Sequence, residues 1–88
     1  MRFAFDPIKA AANLTKHEVS FGDAESLFED PLTVHRPDPD GESEERFIAI
    51  GLGGAGEILV AVYTLRGSAI RLISVRRATR REVRSYEG

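Results

Sequence analysis

Apolar positions along this chain follow two different periods, and the change from one to the other divides it. Arg2-Phe3-Ala4-Phe5 has the pattern of a short first strand, closed by Asp6 as an N-cap and by Pro7 at the first helical position. The helix opened there should run to about His17. At about 100° per residue, Ile8, Ala11, Ala12, Leu14 and Thr15 share one stripe, whereas Lys9, Asn13, Lys16 and His17 fall outside it. The stripe is the expected core face. Ser20 stands three residues before Asp23, like a capping box with the shorter acid, and Val19 is placed to staple against Ala24. A short second helix should follow, with Phe21, Ala24, Leu27 and Phe28 inward and a stop at Asp30-Pro31.

Beyond that stop the chain reads as strands. Leu32 to His35 predicts one, and Pro37-Asp38-Pro39-Asp40-Gly41 a loop or turn. Arg46 to Leu52, Glu57 to Leu65 and Ala69 to Arg76 are three stretches rich in Ile, Val, Leu and Tyr, with glycine-bearing turns between them. Connections this short imply an antiparallel meander. Thr79-Arg80-Arg81-Glu82 is a capping box that opens a final helix. The expected fold is α+β: a small antiparallel sheet, two N-terminal helices packed on one face of it, and a C-terminal helix, with all helices on one side.

A chain of 88 residues holds one domain, here residues 1–88, close to the size at which a core alone gives little surplus stability. The absence of cysteine removes thiol catalysis, disulfides and thiolate zinc sites, and suits a reducing cytoplasm. With only His17 and His35, neither a metal centre nor a cofactor is expected. The longest unbroken apolar run is Ile58 to Tyr63, so neither a signal peptide nor a membrane span is expected.

The net charge of −2 conceals a division. Residues 1–45 carry four basic and eleven acidic side chains, a net of −7; residues 46–88 carry eight and three, a net of +5, and all eight are arginine. Arginine's planar fork matches phosphate, so the C-terminal half points to an anionic partner, with a plain solvated face as the alternative.

Two tempting motifs fail on context. Gly51-Leu52-Gly53-Gly54-Ala55-Gly56 fits G-x-G-x-x-G, but a strand follows where the dinucleotide motif needs a helix N-terminus, so a hairpin turn is the reading. Asp38, Asp40, Glu42, Glu44 and Glu45 do not have calcium-loop spacing and read as a solvated acidic loop. His17 ends the first helix, where it can cap the last carbonyls or act as a proton carrier. The densest signal is the last strand and helix. Strict alternation puts Ile70, Leu72, Ser74 and Arg76 on one face and Arg71, Ile73, Val75 and Arg77 on the other, while Arg80, Arg81 and Arg84 share one side of the helix. Arginines from a strand end and a helix start thus converge into a candidate phosphate site.

Several spaced blocks together resemble one family. They are Phe5-Asp6-Pro7 with Lys9 and Asn13, Lys16-His17 before Val19-Ser20-Phe21, Phe28 with Asp30-Pro31, Glu45-Arg46 before Ile50-Gly51, and Ile70-Arg71 running into Ser74-Val75-Arg76 and Arg80-Arg81-Glu82. In order and over nearly the whole chain they resemble the BrnT family of bacterial type II toxins. Glu18 stands where that family usually has glycine, and Val75 where alanine is common.

The resemblance implies a ribonuclease toxin with a RelE-like fold that inhibits translation and growth. It implies an antitoxin of the BrnA type that carries a ribbon-helix-helix domain, wraps the toxin and makes the only contact with DNA. Without a thiol or a metal cluster, the RNA's own 2′-hydroxyl would attack the adjacent phosphate, and the protein would supply charge and proton transfer. Arg76 and Arg71, then Arg46, are the expected phosphate stabilisers, with Glu82 and His17 as proton carriers. Arg77, Arg80, Arg81, Arg84 and Tyr86 are expected to bind RNA, Tyr86 by stacking on a base or by orienting Glu82. The competing reading is a module that binds RNA or protein and cleaves nothing. An independent DNA-binding regulator has no helix-turn-helix or ribbon signature to support it.

Overall fold

Turn-length connections make a meander, and the structure, a computed structural model that describes residues 2–41 and 44–88, contains one. Strands β2 (Val34–Pro37), β3 (Phe47–Leu52), β4 (Ile58–Arg66) and β5 (Ala69–Arg77) pair antiparallel in sequence order. The short β1 (Arg2–Ala4) joins the far edge, giving the order β1-β5-β4-β3-β2. It lies parallel to β5, with Arg2 beside Ala69 and Ala4 beside Arg71, so the sheet is mixed and not wholly antiparallel as expected. The chain passes through two helices and three strands before it returns beside β1, and a connection of that length permits the parallel pairing.

Helix α1 (Pro7–His17) starts on the Asp6 cap, and α2 (Phe21–Glu25) on Ser20, whose hydroxyl accepts from the Asp23 amide; a 3-10 turn, Ser26–Phe28, extends α2. The final helix α3 (Arg80–Glu87) opens with both halves of the Thr79/Glu82 capping box in place. Val19, Phe21, Ala24 and Leu27 pack with Ala49, Leu59, Ala61, Tyr63, Leu72 and Val75 to form the core on one face of the sheet. Gly53 to Gly56 form the β3–β4 turn, with Gly56 at φ 87°, the hairpin use expected of the glycine-rich run. Glu42, part of the acidic run, lies outside the described residues.

Three local expectations are corrected. The stripe of Ile8, Ala11, Ala12, Leu14 and Thr15 does not face the core: Ile8 is 80% exposed and Leu14 51%, while Asn13 is 7% exposed. β1 pairs with β5 only over Ala69–Arg71, leaving the edge at Val75 open, and Asn13 fills it. Its amide oxygen accepts from the Val75 amide at 3.0 Å, and its nitrogen donates to the Val75 and Val19 carbonyls at 2.9 and 3.0 Å. Satisfying buried backbone groups outweighed burying two aliphatic side chains.

β2 begins at Val34 and runs through Pro37, two residues later than expected. The Asp30 carboxylate accepts from the Leu32 amide and the Asp30 carbonyl from Thr33, so a turn occupies that segment; proline is tolerated because β2 is an edge strand. Lastly, the helices are not all on one side. α3 packs against β3 and bonds to Arg76 from the face opposite α1 and α2, where Ile50 and Val60 form a buried cross-strand pair.

Candidate phosphate-binding site on the second sheet face

Alternation assigns the faces of β4: Leu59, Ala61 and Tyr63 point into the core, so Ile58, Val60, Val62 and Thr64 point the other way. β5 follows the same assignment through its register, with one slip. Val62 pairs with Ser74 but Tyr63 with Leu72, so Ile73 is an unpaired bulge residue. The bulge shifts the alternation expected for this strand. Ile70, Leu72, Val75 and Arg77 lie on the core side, and Arg71, Ser74 and Arg76 line the second face together. Arg71 and Arg76 thus share one face of the strand, with Ser74 between them. Ser74 was not among the expected site residues; a bulge at an isoleucine carries no glycine or proline signal that would reveal it.

Arg76 is the best-held cation of the group. Its Nη1 and Nη2 each donate to one carboxylate oxygen of Glu82 at 2.8 Å, and Nη1 also donates to the Arg77 carbonyl at 3.2 Å. Glu82 Oε1 further accepts the Thr79 amide at 2.8 Å. The capping box therefore fixes the carboxylate, and the carboxylate fixes the arginine. Charge-assisted hydrogen bonds from Arg76, opposed by burial, hold the Glu82 carboxyl down to about 2, and Glu82 in turn raises Arg76. The Arg76 side chain keeps 41% of its surface in solvent.

The other expected site residues divide. Arg71 has no ion-pair or hydrogen-bond partner among the described residues, and neither have Arg80, Arg81 and Arg84, which lie exposed along α3. Arg46 is spent on the acidic turn: Nη2 donates to the Asp40 carbonyl at 3.0 Å and lies 3.4 Å from Asp38 Oδ2, while its Nε is buried without a partner. Arg77 faces the core side, with Nε on Glu57 at 2.7 Å and Nη1 on the His17 carbonyl at 3.2 Å. His17 and Arg77 are therefore together, across the sheet from Arg76. The Tyr86 hydroxyl donates to Asp30 Oδ2 at 2.6 Å rather than to Glu82. That bond lowers the Asp30 carboxyl, raises the Tyr86 phenol, and pins the end of α3.

Among the described residues no group of three His, Cys, Asp or Glu side chains is arranged to hold a metal ion, and no helix is long and apolar enough to cross a membrane. An open cavity of about 330 Å³ lies between β1 and α2, lined by Phe3, Gly22, Glu25, Ser26 and Glu29. Its carboxylates repel a phosphate, and Phe3 belongs to the core side, so the cavity is no part of the arginine site.

The family model described as the ribonuclease toxin BrnT of type II toxin-antitoxin systems matches residues 5–82. The crystal structure of the Brucella abortus ribonuclease toxin BrnT is similar at a TM-score of 0.67 and 30% sequence identity, over 91% of this chain and 99% of that one. No curated protein matches the chain in sequence. A fold shared over almost the full length of both chains and a family match that runs from just before α1 into α3 agree: this chain belongs to the BrnT family of ribonuclease toxins, whose place in type II systems implies an antitoxin partner.

Proposed function

We propose that the chain is an endoribonuclease that cuts RNA without a metal ion, by attack of a 2′-hydroxyl on the adjacent phosphate at Arg76. The observation that carries this reading is the placement of Arg76 on the arginine-bearing face, locked at both terminal nitrogens to an ionised carboxylate yet open to solvent. A preorganised cation next to a carboxylate suits a reaction in which phosphate charge grows while a hydroxyl proton leaves. A phosphate that engages Arg76 competes with Glu82 for the same nitrogens. As it does so, the Glu82 carboxylate loses the bonds that suppress its basicity and becomes able to take the 2′-proton. The 2′-oxygen bonds to phosphorus, the 5′-oxygen departs with a proton from solvent, and a 2′,3′-cyclic phosphate and a 5′-hydroxyl remain. Solvent is the proton source because His17 lies across the sheet. Arg71 supplies a second positive charge, and Arg80, Arg81 and Arg84 hold the flanking RNA.

In the same proposal the antitoxin is of the BrnA type, neutralises the toxin by covering it, and carries a ribbon-helix-helix domain that makes the DNA contact; the setting is the cytoplasm. The Brucella toxin's description as a ribonuclease supports the activity. One observation favours a second reading: a closed two-pronged Arg76–Glu82 pair is also how a non-catalytic module would clamp α3. Product chemistry separates the two. RNA incubated with the protein in excess chelator should yield fragments with 2′,3′-cyclic phosphate and 5′-hydroxyl ends. Fragments with 5′-phosphate ends, or cleavage only on addition of a divalent metal, would contradict the mechanism, and no cleavage would leave the clamp.

A further inference from the structure

The division of charge along the sequence hides where the fold sends the four basic residues of the acidic half. Arg2 goes to β1 at the far edge, beside Ala69, and Lys9 and Lys16 go to α1, on the core side of the sheet. Arg36 goes to the second face. In register, Arg36 on β2 pairs with Ile48 on β3, Ile48 with Val62 on β4, and Val62 with Ser74 on β5. Cross-strand partners share a face, so Arg36 and Ser74 end one straight row on the side that carries Arg71 and Arg76. Between them Ile48 and Val62 form a strip of half-buried apolar side chains. Arg36 is exposed and has no ion-pair or hydrogen-bond partner among the described residues, in contrast to Arg46, Arg66 and Arg77, each of which holds a carboxylate.

We infer that Arg36 is a second phosphate anchor, and that a single RNA strand crosses the sheet from β5 to β2 with unpaired bases over Ile48 and Val62. This rests on the reading that RNA binds at Arg76 and adds the path it takes. β5 and β2 are three strand spacings apart, roughly 14 Å. That span exceeds the separation of neighbouring phosphates on one strand, so the two ends hold different phosphates with bases between them. An apolar floor flanked by guanidinium groups is the arrangement that takes unstacked bases, whereas a duplex keeps its bases inward and away from such a strip. The substrate class is single-stranded RNA, or a loop, long enough to reach both edges.

The test is equilibrium binding of a fluorescent, fully 2′-O-methylated single strand of about eight nucleotides, which cannot be cut by the proposed reaction. Arg36→Ala and Arg36→Gln should each bind about tenfold more weakly than wild type, and the slope of log affinity against log salt should fall by roughly 0.7, one phosphate contact. Lys9→Ala, an equal loss of charge on the core side, should change neither. Thermal melts should coincide, because Arg36 holds nothing together among the described residues. Wild-type affinity and slope in both Arg36 variants would overturn the inference even if the protein cleaves RNA. A wild type that binds the probe with this dependence on Arg36 but cuts no unmodified RNA would instead overturn the catalytic reading alone. Failure of wild type to bind the probe would overturn both.

Discussion

α1 and α3 dock on the same end of β5 from opposite faces, and they do so by different chemistry. α1 is held by Asn13, a neutral amide 7% exposed, bonded to both backbone groups of Val75 and to the Val19 carbonyl. α3 is held one residue further on by Arg76 and Glu82, an ion pair with the arginine 41% exposed, and by the Tyr86–Asp30 bond near its end. α3 has no buried residue of its own. The first attachment is insulated from solvent and indifferent to protons and salt; the second is exposed to both, and to any anion that fits a guanidinium. Structure is fixed on the core side of β5 and binding is possible on the other.

The largest effect should come from breaking the insulated attachment. Asn13→Ala strands a buried amide and two buried carbonyls at once, and should cost about 4 kcal/mol in urea unfolding, each orphaned group counting for roughly 1–3 kcal/mol and partly relieved by water. For a domain this small such a loss unfolds much of the population at 37 °C. A loss below about 1 kcal/mol would mean that α1 is held by something other than this amide.

The second effect is one of pH and should separate the two helices. The folded-state pKa of Glu82 lies near 2, below the ordinary value of 4.5. A carboxylate held low in the folded state stabilises above its unfolded pKa and stops doing so as pH falls through the folded one. α3 should therefore loosen between about pH 4.5 and 2, losing the Arg76 fork and half of its capping box together, while α1 stays in place. Backbone amide signals of residues 80–87 followed by NMR during acid titration check this. Amides of α1 and α3 shifting together would erase the distinction.

How much of this could be read from the sequence depended on whether local chemistry or pairing made the decision. The N-caps at Asp6, Ser20 and Thr79, the glycine hairpin and the meander were legible because each is set by residues within a few positions. The face of α1 was not. The helical stripe of Ile8 and Leu14 was real, but a strand edge left open at Val75, more than sixty residues away, chose the other side. The fold class was legible and the parallel β1 was not, since nothing local tells a first strand which neighbour it will have. At the site, the sequence pointed to Arg76 and to Glu82 separately, as a phosphate stabiliser and a proton carrier, and to arginines converging from the strand end and the helix start; that Arg76 and Glu82 form a two-pronged pair emerged only from the fold. The grouping of Arg71 with Arg76 needed the bulge at Ile73, and the separation of Arg46, Arg77 and His17 from them needed partners that only the fold supplies.

The smallest effect concerns the C-cap of α1. Glu18 caps α1 at φ 58°, ψ 30°, in the left-handed region that favours glycine. A side chain there strains the backbone, so Glu18→Gly should stabilise the domain by about 0.5–1 kcal/mol, the strain relieved being partly offset by the freer unfolded chain. Equal or lower stability would show that the Glu18 carboxylate, which adds to the larger effect of Glu57 in favouring the charged form of Arg77, matters more than the backbone.

In the proposed reaction Arg76 acts on the phosphate and not only on α3. Single-turnover cleavage of RNA in chelator and thermal melts should be measured side by side on wild type, Arg76→Ala and Arg76→Lys. A charge that acts in the transition state contributes about 3 kcal/mol, so alanine should lower the rate a hundredfold or more, and lysine, a point charge without the fork, should restore little. The half-exposed ion pair should matter far less to stability, with melting lowered by only a few degrees in either variant. A rate that falls only in step with the fraction folded, or full activity in the lysine variant, would contradict the claim and leave Arg76 as the clamp of α3.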